Sequence, residues 1–163
     1  MKKITLALTF VLFLGTVAYS QKLQQQESLG GITSVSVTVE KIDEDAERDG
    51  LSRDQVQTDV ELRLRKANIR IREKTDSKFP TYPQLYVIVN AVKSNVGLYA
   101  FTVDVQVNDV ANLTRKQPRL ATVTIWDAGT TGSVGASNVR KIRESIGDIV
   151  DQFINDYLAA NPK

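Results

Sequence analysis

The chain has 163 residues, no cysteine, no histidine and a formal net charge of +2. Those two absences exclude thiol nucleophiles, disulfides, imidazole general bases, Ser-His-Asp triads and the usual zinc or copper ligand sets. Carboxylate chemistry, Ser-Lys chemistry, an oxygen-ligand Ca²⁺ site, or binding without catalysis remain open.

The first twenty residues read as a secretory signal peptide. Lys2 and Lys3 form a charged start, and Ile4 to Ala18 is an apolar run broken by Thr5, Thr9, Gly15 and Thr16. Ala18-Tyr19-Ser20 places small residues at −3 and −1 of a cut before Gln21. The run is shorter than the roughly 20 apolar residues of a membrane span. No Cys follows it to take a lipid, and an uncleaved anchor is the alternative. The expected product is periplasmic or secreted. Removing Lys2 and Lys3 from the 21 basic residues leaves 19, matching the 19 acidic ones. A neutral mature chain gives no bulk charge for nucleic acid or anionic membranes.

Residues 21–31 form a polar stretch, expected as a flexible linker. Residues 32–161 suit one domain, large enough to bury about two thirds of its unfolded surface. Ile32 to Val39 alternates, with Val35, Val37 and Val39 on one face, as a half-buried strand does. Asp43 to Gly50 reads as an acidic loop. Ser52 with Gln55 forms a capping box, and Leu51 with Val56 a hydrophobic staple, so a helix starts here. Val56, Val60, Leu64 and Ala67 form its stripe. Asn68 suits a left-handed stop, and Ile69 to Arg72 is a short strand.

Lys74 to Pro83 is a loop. Leu85–Lys93 and Leu98–Val107 are strands joined by a turn, Ser94-Asn95-Val96-Gly97. Arg119–Trp126 is the fifth strand, with Ala121, Val123 and Ile125 on one face and Trp126 expected on the other. Asp127 to Ala136 reads as a glycine-containing loop into a last helix capped by Ser137. That helix carries a stripe of Val139, Ile142, Ile146, Ile149, Val150, Phe153 and Tyr157. Gly147 within it costs about 1 kcal/mol against Ala, which implies close packing against the sheet. The fold class expected is α+β: a two-layer sandwich with one mixed, mostly antiparallel five-stranded sheet and two helices on one face, in the order β-α-β-β-β-β-α.

Several residue groups carry possible chemistry. Gly129, Gly132 and Gly135 before a helix suggest a weak anion cradle, although the spacing matches no Walker or Rossmann loop. Asp43, Glu44, Asp45, Glu47 and Asp49 offer oxygen ligands, but Arg48 stands where an EF-hand loop needs glycine. Asp104 lies on a polar strand face without an identifiable second carboxylate. Ser52 and Ser137 read as caps, with no Lys placed beside either. Arg63, Arg65, Lys66, Arg70, Arg72 and Lys74 form a basic run, read as a solvated surface or a patch for an acidic partner. Phe79, Tyr82 and Trp126, near Pro80 and Pro83, are the candidate partner-binding aromatics. No catalytic residue, metal ligand or cofactor is assigned.

The stretches Asp49–Ile71, Leu85–Val107 and Ile142–Pro162, the last ending Phe-Ile-Asn-Asp-Tyr-Leu-Ala-Ala-Asn-Pro, resemble an uncharacterised family of small exported bacterial proteins. The element order is similar to the N-terminal domain of TolB and to LpoB-type activators. That second resemblance implies a protein-docking envelope module, but fold alone does not fix function. The expected function is a non-enzymatic envelope adaptor with a protein partner and no membrane span in the mature chain. A small-ligand or anion-binding periplasmic protein is the alternative, and a carboxylate-based hydrolase the third reading.

Overall fold

The computed structural model describes residues 22–73, 82–114 and 119–162. The expected signal segment 1–20 and Phe79 lie outside the described residues. The described chain opens with a helix, α1, over residues 22–27. It continues through β1 (Ser34–Val39), α2 (Glu44–Arg48), α3 (Arg53–Lys66) and β2 (Arg70–Arg72). β3 (Gln84–Lys93), β4 (Leu98–Leu113), β5 (Arg119–Gly135) and α4 (Ile142–Ala160) complete it.

The five strands form one mixed sheet in the order β2-β1-β3-β4-β5. β1, α3 and β2 make a parallel crossover, and β3 lies parallel to β1 on its other side. β3, β4 and β5 are antiparallel over much longer registers, so the sheet is mostly antiparallel. α3 packs on β1 and β2, and α4 on β4 and β5. The chain therefore has the α+β architecture read from its sequence.

Alternation decides which face is covered. Val35, Val37 and Val39 of β1 are in register with Ile71, Leu85 and Val87, and the last two pair with Val107 and Val105 of β4. This face meets Val56, Val60 and Leu64 of α3 and Ile142, Ile146, Val150 and Phe153 of α4 in one core. The opposite face carries Tyr86, Asn90, Thr102, Asp104, Gln106, Thr131 and Ser133.

Local signals placed α3 correctly. The Gln55 amide donates to Ser52 Oγ at 3.4 Å. Leu51 and Val56 are both buried, and Asn68 takes φ 61° just after the helix. Asn tolerates that left-handed position because its short polar side chain can bond locally.

Five expectations need correction. Residues 21–31 were expected as a flexible linker, yet residues 22–27 are helical and Leu29 is fully buried. Asn161 ties this segment to the end of α4: its Oδ1 accepts from the Gly31 amide at 2.8 Å and its Nδ2 donates to the Leu29 carbonyl at 2.9 Å. Tyr157 OH adds a bond to the Ile32 carbonyl at 2.7 Å. The buried Leu29 and these three hydrogen bonds anchor the polar run.

The acidic loop contains the short helix α2, because Asp43 caps it by accepting from the Asp45 amide at 2.9 Å. Ser137 caps no helix. It lies in a 3-10 turn, Ala136–Lys141, and neither that turn nor α4 has a side-chain cap. Gly147 admits a guanidinium rather than the sheet. A Cβ there would stand 2.5 Å from Arg63 Nη2, and Arg63 crosses this point to pair with Asp151.

The largest correction concerns β5. It runs through the expected glycine loop to Gly135. Its register against β4 shifts between Val107 and Asn108, which face Trp126 and Thr124. Ile125 is the extra residue of a β-bulge, and such an insertion reverses the alternation that follows it. Trp126 therefore turns into the core, where it is 1% exposed.

Candidate interaction surface

Two strands of the sheet are unusually long. β4 and β5 have 16 and 17 residues, whereas β3 has 10. β3 begins at Gln84 opposite Asn108. Beyond that point Asp109–Leu113 and Arg119–Val123 pair only with each other among the described residues. Five residues of strand extend the pair by roughly 17 Å. The result is a two-stranded ribbon that runs on past the end of β3.

The ribbon is apolar for a projecting element. Leu120 is 50% exposed. Val110, Leu113, Ala121 and Val123 are half-buried. Val110 and Leu120 lie on the side of the open sheet face; Ala111, Leu113, Ala121 and Val123 continue the covered face past Val107. An isolated pair of strands is marginally stable in water at best. Its side chains gain most when something packs on them.

Tyr82 sits at the entrance to β3 and is half-buried. The Arg72 guanidinium lies 5.4 Å from its ring centroid, a cation–π contact across β1. Tyr82 thus borders the open face as a candidate contact residue. Trp126 does not join it. Its indole Nε1 donates to Asp156 Oδ2 at 3.0 Å, and its ring meets Phe153 edge-on at 5.4 Å. An interior anchor cannot serve as a docking aromatic, and this removes Trp126 from the surface.

Gly129, Gly132 and Gly135 do not form a cradle. They lie in β5, opposite Asp104, Phe101 and Leu98. The Phe101 ring lies over Gly132, where a Cβ would meet Cζ at 2.8 Å. The Asp104 carboxylate lies over Gly129, with Oδ1 2.5 Å from the Cβ position. A carboxylate over the glycine opposes anion binding there, and backbone amides committed to a ladder cannot converge on a phosphate.

The acidic segment is occupied with its own structure. Lys41 pairs with Glu44 at 3.1 Å and Arg48 with Asp45. Among the described residues no cluster of acids is arranged to hold a metal ion. Asp49 makes the most specific contacts: its Oδ2 accepts from Lys93 Nζ at 2.7 Å and from Tyr99 OH at 2.8 Å. The Lys93 hydrogen bond, followed by that from Tyr99, holds the Asp49 carboxyl below the usual carboxylate range. Burial, reinforced by Asp49, pushes the Tyr99 phenol up to about 12. This arrangement latches the end of α2 to β3 and β4. Two residues of the basic run are also paired, Arg65 with Glu61 at 2.6 Å and Arg63 with Asp151.

Sequence reasoning placed Arg119–Val123 in a strand but missed the ribbon, because it ended β4 at Val107 and left that arm without its partner Asp109–Leu113. The signal was present in Val110 and Leu113, apolar residues continuing past Val107.

No family model matches the chain, and no curated protein matches it. Among solved structures it is similar to rare lipoprotein B from Shewanella oneidensis, at 14% sequence identity and a TM-score of 0.28. The match covers 78% of this chain and 92% of that one. A likeness at that score carries no argument about what this chain binds or does.

Proposed function

We propose that the protein is an exported, non-enzymatic binding module of the cell envelope, and that the β4–β5 ribbon contacts its protein partner. One observation carries this reading: a ribbon that leaves the sheet for five residues on each strand and presents Leu120, Val110 and Leu113 outside the core. Apolar side chains on both faces of such a ribbon, Val110 and Leu120 on one and Leu113 on the other, suit a partner that packs against it. Tyr82, held by Arg72 beside the open sheet face, supplies a second contact at the polar margin. Export rests on the N-terminal pattern of Lys2, Lys3 and the apolar run to Ala18.

The test is affinity capture from the organism's own envelope with wild-type, Leu120→Asp and Tyr82→Ala proteins. A partner recovered with wild type and lost with Leu120→Asp, at unchanged melting temperature, supports the reading. Equal recovery with Leu120→Asp removes the ribbon from it.

A further inference from the structure

We propose that the outer edge of β5, over Ala128–Gly135, pairs antiparallel with the same edge of a second copy of this chain. The inference does not rest on the ribbon reading; it uses a different stretch of the strand and a different occupant.

The two edges of the sheet contrast. β2 forms one, and it is three residues long with an arginine at each end. Short, charged edges resist pairing with other chains. β5 forms the other, and it is 17 residues long. Among the described residues its protective features are confined to the upstream part. The bulge sits at Ile125, and Gln25 of α1 donates to Asp127 Oδ1 at 2.8 Å. Downstream, Ala-Gly-Thr-Thr-Gly-Ser-Val-Gly contains no charge and no proline. Gly129, Thr130, Thr131 and Ser133 are exposed. An edge strand presents every second backbone N–H and C=O outward, and an extended strand is the occupant whose chemistry matches that row.

The sequence of this stretch favours a second copy. Antiparallel pairing about Thr131 sets Thr131 opposite its equivalent, Thr130 opposite Gly132, Gly129 opposite Ser133 and Ala128 opposite Val134. No like charges meet. Ala128 and Val134 lie on the covered face and already pack against the core, so their pairing would carry that face from one protomer into the next. Thr131 would meet its equivalent on the open face, where hydroxyl pairs are favourable. The two-fold operation uses the same patch on both copies, as closed dimers require.

The absence of native cysteine makes the register directly testable. Directly opposite residues in an antiparallel pair have Cα atoms about 4.5–5.5 Å apart, within the range a disulfide spans. Thr131→Cys should therefore oxidise rapidly to a covalent dimer. Thr122→Cys, on the same sheet face but in the ribbon, should not. Sedimentation should show a reversible dimer for wild type and a monomer for Thr131→Lys at unchanged melting temperature, because that substitution sets two ammonium groups opposite each other. A monomeric wild type at the highest attainable concentration would overturn the proposal. So would oxidation of Thr131→Cys no faster than Thr122→Cys, or an undiminished dimer in Thr131→Lys. A monomer that instead captures a strand of another protein assigns the edge to a different partner and overturns it too.

Discussion

Trp126 on β5 donates its indole N–H to Asp156 on α4, joining the bulged edge of the sheet to its covering helix inside the core. Asp156 is 8% exposed, so its carboxylate is retained at the interior by this bond rather than by water alone. Asp156→Ala leaves the indole donor without its partner, at a cost of about 1–3 kcal/mol. Trp126→Ala also removes the ring that meets Phe153, and cores losing an aromatic of this size fall by about 3–5 kcal/mol. Urea unfolding followed by circular dichroism measures both. A Trp126→Ala protein as stable as wild type would return the residue to the surface.

The latch of Asp49, Lys93 and Tyr99 predicts two pH limits. The Asp49 carboxyl is held below its ordinary value, so its contribution is present above about pH 4 and is lost as the pH falls through the depressed value. The Tyr99 phenol is raised to about 12, so its contribution is complete below about pH 10 and is lost as pH rises towards 12. Tyr99→Phe should lower the urea midpoint at neutral pH and flatten the loss between pH 10 and 12. Asp49→Asn should flatten the acid limb. An alkaline limb unchanged in Tyr99→Phe would show that another group controls it.

Gly132 makes room for the Phe101 ring across the β4–β5 pair. Gly132→Ala forces that ring off its position, with a penalty on the order of 1–3 kcal/mol. In a Phe101→Ala background the same substitution should cost little, giving a coupling energy by double-mutant cycle. Phosphate should raise the melting temperature no more than chloride at equal ionic strength, because these glycines lie in a strand. A phosphate-specific rise abolished by Gly132→Ala would restore the anion site.

The sequence was most legible where side chains and backbone preferences agreed. Ser52, Gln55 and Asn68 marked both ends of α3, and the stripe from Ile142 to Tyr157 marked α4. The β3–β4 turn was carried by Ser94 and Gly97, the latter with a positive φ. It failed where tertiary pairing overrides local propensity. Gly129, Thr130, Thr131 and Gly132 have the composition of a loop, yet β4 supplies a continuous partner and Phe101 covers the glycine. The bulge was equally hard to see. Ile125 and Trp126 are adjacent large apolar residues in an alternating strand, and one extra residue there changed Trp126 from a surface candidate into a core anchor. Of the three aromatic contact residues, Tyr82 alone is found at a surface among the described residues.

The most direct test of the ribbon as the recognition element is site-specific photocrosslinking in living cells. A photoreactive residue at Leu120 is compared with one at Leu62, which is 47% exposed on α3. The account predicts an adduct of one defined mass to a different protein from position 120, and none from position 62. The same adduct from both positions, or none from position 120 at native abundance, would contradict it.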